Sequence, residues 1–241
     1  MEKATKNFLI MSRTDSNFNQ LYRGWAIVQS LINVIGLFIT LQFGNSQIWL
    51  ICVGLWFIVY IVNIPRYSNF PLYLGYANWV TIIRLSIIFA LGFMFRHTQN
   101  YILFSGFLIA MILDGVDGIL ARKFSHSSKI GEGLDMETDA FMVFLLSWIH
   151  YDSGSLSWWI LIPGGLRYYY ELGFFWLKDQ EPEFPSKRIR AFIAVIFFVA
   201  LLTPFILPDN LYFFIAGTAS VLIVLSFTAS IINGLFFWLR N

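Results

Sequence analysis

Apolar runs long enough to cross a bilayer recur along this chain from end to end, and few folds can accommodate that. A spanning helix needs about 20 mostly apolar residues. Runs at about 24–43, 47–64, 79–96, 101–122, 130–150, 156–177, 190–207 and 211–238 come near that length. Turn signals separate them, among them Gly44-Asn45-Ser46, Pro65, Pro71, Gly75, Asp152-Ser153-Gly154 and Pro208-Asp209-Asn210. In hydrocarbon each segment must satisfy its own backbone, which leaves helices as the spanning elements. Charged residues make up 12% of the 241, against about 25% in a soluble domain. The expectation is an all-α integral membrane protein of one polytopic domain. Residues 1–22 are mostly polar and read as no signal peptide.

Loop charges orient the expected helices. Lys3, Lys6, Arg13 and Arg23 precede the first, and Arg66 follows the second. Arg122, Lys123 and Lys129 fall between the fourth and fifth, and Lys178, Lys187, Arg188 and Arg190 between the sixth and seventh. Arg240 ends the chain, and the opposite loops hold only Arg96. Both termini are expected to be cytoplasmic (inner membrane in a bacterium). The segment 65–77 is either an interfacial stretch or an ordinary loop.

Within this apolar background the stretch DGVDGILARKFSHSSKIGEGLDMETD runs from Asp114 to Asp139 and carries four aspartates, Asp114, Asp117, Asp135 and Asp139. Four at membrane depth could cost on the order of 10 kcal/mol without compensation. Asp114 and Asp117 share one helix face, and Gly131, Asp135 and Asp139 form a stripe on the next. A short link makes the two helices antiparallel neighbours, so the four carboxylates can converge near the cytoplasmic end. Two Mg²⁺ or Mn²⁺ ions, hard cations that prefer oxygen, would balance their charge, and such a pair clamps in-line attack on phosphorus. Gly115 and Gly118 leave room for a flat base or diphosphate beside the acids. Ala121 keeps that face open, Gly131 clears the facing helix, and Arg122 can grip phosphate with its planar fork.

Asp114-x-x-Asp117-Gly118-x-x-Ala121-Arg122, eight residues, then Gly131-x-x-x-Asp135-x-x-x-Asp139 resembles the signature of the CDP-alcohol phosphotransferase (CDP-alcohol phosphatidyltransferase) family. The resemblance covers about residues 77–239. It implies a six-helix core, to which two further N-terminal transmembrane helices are added here. It implies that a CDP-alcohol, usually CDP-diacylglycerol, donates its phosphoryl-bearing part to a small hydroxyl acceptor and releases CMP. It also implies metal ligation by Asp114, Asp117 and Asp135, with Asp139 a ligand, the acceptor's general base, or both. Gly118, Ala121, Arg122 and Gly131 would line the cytidine diphosphate site. Upstream, Asn78, Thr81 and Arg84 in ANWVTIIR are similar to a Pro-Asn-x-Leu-Thr-x-x-Arg stretch of several members, with Ala77 in place of Pro and Val80 in place of Leu. Asn78 and Thr81 would join the nucleotide site.

Several of the remaining polar residues carry competing readings. Arg84 binds phosphate, or an acceptor, or snorkels to the interface. Arg167 forms an i,i+4 ion pair with Glu171 or binds the acceptor. Lys187, Arg188 and Arg190 set topology and contact lipid headgroups, or bind an anionic acceptor. His97, His126 and His150 lack zinc spacing. Cys52 is expected to pack in the interior, and Trp148, Trp158, Trp159, Trp176 and Trp238 to anchor helix ends at the interface.

The reading is therefore a cytoplasmic N-terminal segment 1–23, two additional transmembrane helices over 24–64, the segment 65–77, and a six-helix catalytic membrane domain over 78–241. Its function would be metal-dependent transfer in phospholipid biosynthesis. The partners are a CDP-alcohol, a small hydroxyl acceptor and membrane lipid. A homodimer is left open, and nothing points to nucleic acid. The alternative is an ion- or proton-coupled transporter, since intramembrane acids often mark ion pathways. Acids gathered near one surface, and the lack of an internal repeat, argue against it.

Overall fold

The structure is a computed structural model that describes residues 2–67, 76–124, 129–173 and 187–240, with side chains over 21–63, 78–115, 131–173 and 188–233. Among these residues helix dominates and there is no strand. The elements are α1 (Glu2–Phe43), α2 (Ser46–Tyr67), α3 (Tyr76–Met94), α4 (Asn100–Phe124), α5 (Lys129–Asp152), α6 (Leu161–Gly173), α7 (Lys187–Leu202) and α8 (Asp209–Arg240). Short 3-10 turns follow α3, precede α6 and follow α7. The eight apolar runs of the sequence correspond to these helices. The differences lie at the ends: α1 continues upstream to Glu2, α2 continues through Pro65, and α6 is described from Leu161 to Gly173. Most of the expected interfacial segment 65–77 lies outside the described residues, as do His126 and Trp176.

Among the described residues five segments are long and apolar enough to cross a membrane: Leu21–Phe43, Ser46–Asn63, Asn78–His97, Arg188–Phe205 and Asp209–Asn233. The apolar stretch Asn100–Gly115 of α4 is shorter. In α5, Glu132, Asp135, Glu137 and Asp139 interrupt the apolar pattern, because this helix carries the polar site. The outward faces hold Phe38, Phe43, Leu55, Phe192, Phe214, Val221 and Leu225, all well exposed. Such a girdle suits hydrocarbon as the surrounding solvent, so the protein is an integral membrane protein.

Inside, the helices meet through aromatic rings and small polar residues. Trp49 stands edge-on to Phe144 (5.4 Å) and to Trp148 (6.3 Å). Its Nε1 donates to Asn33 Oδ1 at 3.1 Å. Ser30, Thr40, Thr138, Ser220 and Ser230 are buried, and each hydroxyl donates to the carbonyl four residues back. That bond satisfies the hydroxyl without a partner from another helix. α1 and α2 are tied by a reciprocal pair: Trp25 Nε1 donates to the Trp56 carbonyl and Trp56 Nε1 to the Trp25 carbonyl, both at 3.3 Å. Their turn closes on Gly44, whose φ of 68° is the left-handed conformation that ends a helix.

Two expectations are corrected here. Trp148 is 2% exposed and packs in the core, because Trp49 and Tyr151 enclose it. Cys52 is exposed; it shares the outward face of α2 with Ile51 and Leu55, also exposed. Trp158, 65% exposed, keeps the character of an anchor.

The two ends of the bundle differ chemically. At one, Arg96 past the end of α3 grips Asp152 at the end of α5 (Nε to Oδ2 3.0 Å, Nη2 to Oδ1 2.8 Å) and the Gly44 carbonyl at 3.0 Å. A planar fork on a carboxylate fixes geometry as well as charge. The acidic cluster belongs to the other end, on the first half of α5.

Candidate metal and phosphate site

α3 packs against α4 and α5, and this three-helix contact builds the site. Arg84, two turns into α3, is fully buried at 0% exposure. Its Nη1 donates to Asp114 Oδ1 of α4 at 2.6 Å and to Asp135 Oδ1 of α5 at 2.8 Å, and its Nη2 donates to Asp139 Oδ1. One guanidinium thus gathers three carboxylates from two helices. The three side chains are 40%, 36% and 46% exposed, whereas Arg84 lies buried behind them. The snorkelling alternative for Arg84 is excluded, since its charge is inside the bundle and matched there.

Asp114, Asp135 and Asp139 each offer a carboxylate oxygen, and these oxygens lie within 4.8 Å of one another. An all-oxygen, anionic set of this kind fits a hard divalent cation. One positive charge against three negative ones leaves the cluster net anionic, which favours cation uptake. Asp117, Gly118, Ala121 and Arg122 continue along α4, and their side chains lie outside the described residues. On helical geometry Asp117 is one turn beyond Asp114 on the same face.

Asn78 and Thr81 precede Arg84 at steps of three on α3. Thr81 is buried, and Asn78 is half-buried in the first turn. Gly131 begins the stripe that ends in Asp139, and it too is half-buried. Arg188 is exposed and Arg190 half-buried at the start of α7; the side chain of Lys187 lies outside the described residues.

Arg167 is not part of this cluster. Its Nη2 donates to Glu137 Oε1 and, at 3.1 Å, to Tyr22 Oη, while Tyr22 Oη donates to Glu137 Oε1 at 3.0 Å. The carboxylate it bonds therefore belongs to α5 and not, as one reading had it, to Glu171 on α6. Glu137 is 1% exposed, a charge that burial permits only with such a partner. Sequence reasoning passed over Glu137 and Tyr22. The available signal was an acid placed between Asp135 and Asp139 but about 200° from each around the helix, hence aimed at a different neighbour.

A family model described as CDP-alcohol phosphatidyltransferase matches residues 74–232, a span that contains every aspartate of the cluster together with Arg84, Glu137 and Arg167. No curated protein and no solved structure matches the chain.

Proposed function

The chain belongs to the CDP-alcohol phosphatidyltransferase family, whose members transfer a substituted phosphate from a CDP-alcohol in phospholipid synthesis, and we propose that it moves a phosphatidyl group from CDP-diacylglycerol to a small hydroxyl acceptor. The observation that carries this reading is the convergence of Asp114, Asp135 and Asp139 on one buried arginine, within the stretch that matches the family.

The acceptor oxygen attacks the β-phosphorus of the donor. A bond forms between them, the bond from that phosphorus to the CMP oxygen breaks, and CMP leaves with the electron pair. Asp139 takes the acceptor proton. Asp114, Asp117, Asp135 and Asp139 would hold two Mg²⁺ or Mn²⁺ ions, which supply positive charge against the diphosphate and the leaving group. Gly118, Ala121, Gly131, Asn78 and Thr81 bound the nucleotide, and Arg122 holds a phosphate with two parallel donors. Arg84 orients the aspartates from beneath. Lys187, Arg188 and Arg190, at the start of α7, bind the acceptor.

In this reading residues 78–241 form a six-helix catalytic domain and 24–64 two additional transmembrane helices. Both termini and the site face the cytoplasm, following the excess of Lys and Arg on that side. A lipid donor then enters sideways from the bilayer while the acceptor arrives from water.

The test is turnover in membranes with labelled CDP-diacylglycerol and a panel of acceptors, scored by CMP release. One acceptor should support release that stops on chelation and returns with Mg²⁺ or Mn²⁺. Full activity in thoroughly chelated membranes would remove the metals from the mechanism. No CMP release with any donor and acceptor would remove the transfer itself.

A further inference from the structure

The Tyr22–Glu137–Arg167 cluster, buried at Glu137 and half-buried at Tyr22 and Arg167, sits on the back of the helix that carries Asp135 and Asp139. Its three members come from α1, α5 and α6. Glu137 and Arg167 lie within the stretch that matches the family, whereas Tyr22 lies outside it. We propose that Tyr22, Glu137 and Arg167 are positioning residues that hold the rotation of α5, so that the N-terminal helix α1 helps to shape the catalytic carboxylates. This rests on the reading of Asp135 and Asp139 as metal ligands given above.

Three observations support it. Consecutive residues turn by about 100° around a helix, so Glu137 points some 200° from Asp135 and from Asp139. Opposite faces of α5 thus end on separate arginines, Arg84 in front and Arg167 behind, and any roll of the helix must break one pairing or the other. The second observation is close approach. A Cβ built on Gly133, one turn before Glu137, would meet Tyr60 Oη at 2.7 Å and Tyr22 Cε2 at 2.8 Å. The rings of α1 and α2 therefore rest on the backbone of α5 beside the polar contact. The third is leverage. Side-chain tips lie about 5–6 Å from a helix axis, so a roll of only 10° moves a carboxylate by about 1 Å. Metal–ligand distances tolerate about 0.2 Å. A buried ion pair is weak evidence for stability and is better attested as a device that selects one arrangement.

Direct Mn²⁺ binding to the purified full-length protein, read from the loss of the free-ion paramagnetic resonance signal, tests the proposal without relying on turnover. Glu137→Gln should weaken Mn²⁺ binding by about tenfold, the low end of what loss of an outer-shell partner does. Tyr22→Phe, which keeps the ring and removes only the hydroxyl, should weaken it several-fold in the same direction. Asn33→Leu serves as the control: it removes the buried Asn33–Trp49 bond between α1 and α2, so it should lower the melting temperature and leave the Mn²⁺ affinity of the folded protein unchanged. Tyr22→Phe keeps the question open to refutation should Glu137→Gln fail to fold. Wild-type affinity in Tyr22→Phe, or an equal loss in Asn33→Leu, would overturn the positioning role and leave the cluster a general brace. A wild-type protein that binds no Mn²⁺ would instead sink the metal reading itself, and this inference with it.

Discussion

Arg84 of α3 and Asp135 of α5 meet at 2.8 Å, and that contact joins the helix at one edge of the site to the helix that carries Asp135 and Asp139. The guanidinium is wholly buried while the carboxylates are more than one-third exposed. Water therefore screens the acids in part and the arginine not at all. This asymmetry makes Arg84 the internal counter-ion of the cluster, on which the spacing of the three carboxylates depends.

Replacing Arg84 by Met should accordingly leave three facing carboxylates with no shared cation. Breaking a buried ionic network by removing one partner costs about 3–5 kcal/mol, and the exposed acids place this case at the lower end. The melting temperature in chelator should fall by several degrees relative to wild type. Mn²⁺ should restore more of it in the variant than it adds to wild type, because binding to the folded state alone stabilises it. Equal melting temperatures in chelator would show that Arg84 does not hold the acids together.

Asp139 and Asp135 should separate by role. Asp139 is one turn beyond Asp135 on the same stripe and is the more exposed of the two, which suits a base that meets an acceptor hydroxyl. Asp139→Asn should lower transfer by about 10²–10⁴-fold, the usual share of general acid–base catalysis, with donor binding largely retained. Asp135→Asn should weaken metal and donor binding together. Equal loss of donor affinity in both variants would make Asp139 another metal ligand and nothing more.

At the start of α7, Ala substitutions of Lys187, Arg188 and Arg190 should raise the acceptor KM with little change in kcat, as expected when a uniform binding interaction is removed. The donor KM should stay nearly constant. If the acceptor KM is unchanged in all three variants, these residues set topology and the acceptor is more credibly neutral.

Gly164 should be intolerant of a side chain. A Cβ there would stand 2.5 Å from Ser147 Cβ and closer still to Ser147 Oγ, which already donates to the Val143 carbonyl at 2.9 Å. Gly164→Ala should destabilise by about 1–3 kcal/mol through overpacking as α6 is pushed off α5. Pairing it with Ser147→Gly should recover much of that loss. A thermal melt of the two variants decides: failure of the second change to recover stability would place the strain elsewhere.

The helices and the four aspartates were legible in the sequence because both are local patterns. An apolar run reports the solvent around it, and carboxylates at steps of three and four report one helix face, whatever the rest of the chain does. The helical membrane class follows from the apolar runs, and the family from the resemblance of the whole signature, Gly118, Ala121, Arg122 and Gly131 included. Long-range pairing was not legible. Arg84 reads from the sequence as a phosphate or acceptor ligand or as a snorkelling cation, and only the packing of α3 against α4 and α5 buries it among three acids. Arg167 has Glu171 at ideal local spacing, yet its hydrogen bonds go to Glu137 and Tyr22, because the close contact of α5 and α1 with α6 places those partners within reach. Trp148 and Cys52 failed for the same reason in opposite directions. In a membrane the outside of a helix is as apolar as its interior, so hydrophobicity says that a residue is in the bilayer and not which way it faces. That choice belongs to the tertiary structure, where rings, small residues and matched charges select the neighbours of each helix.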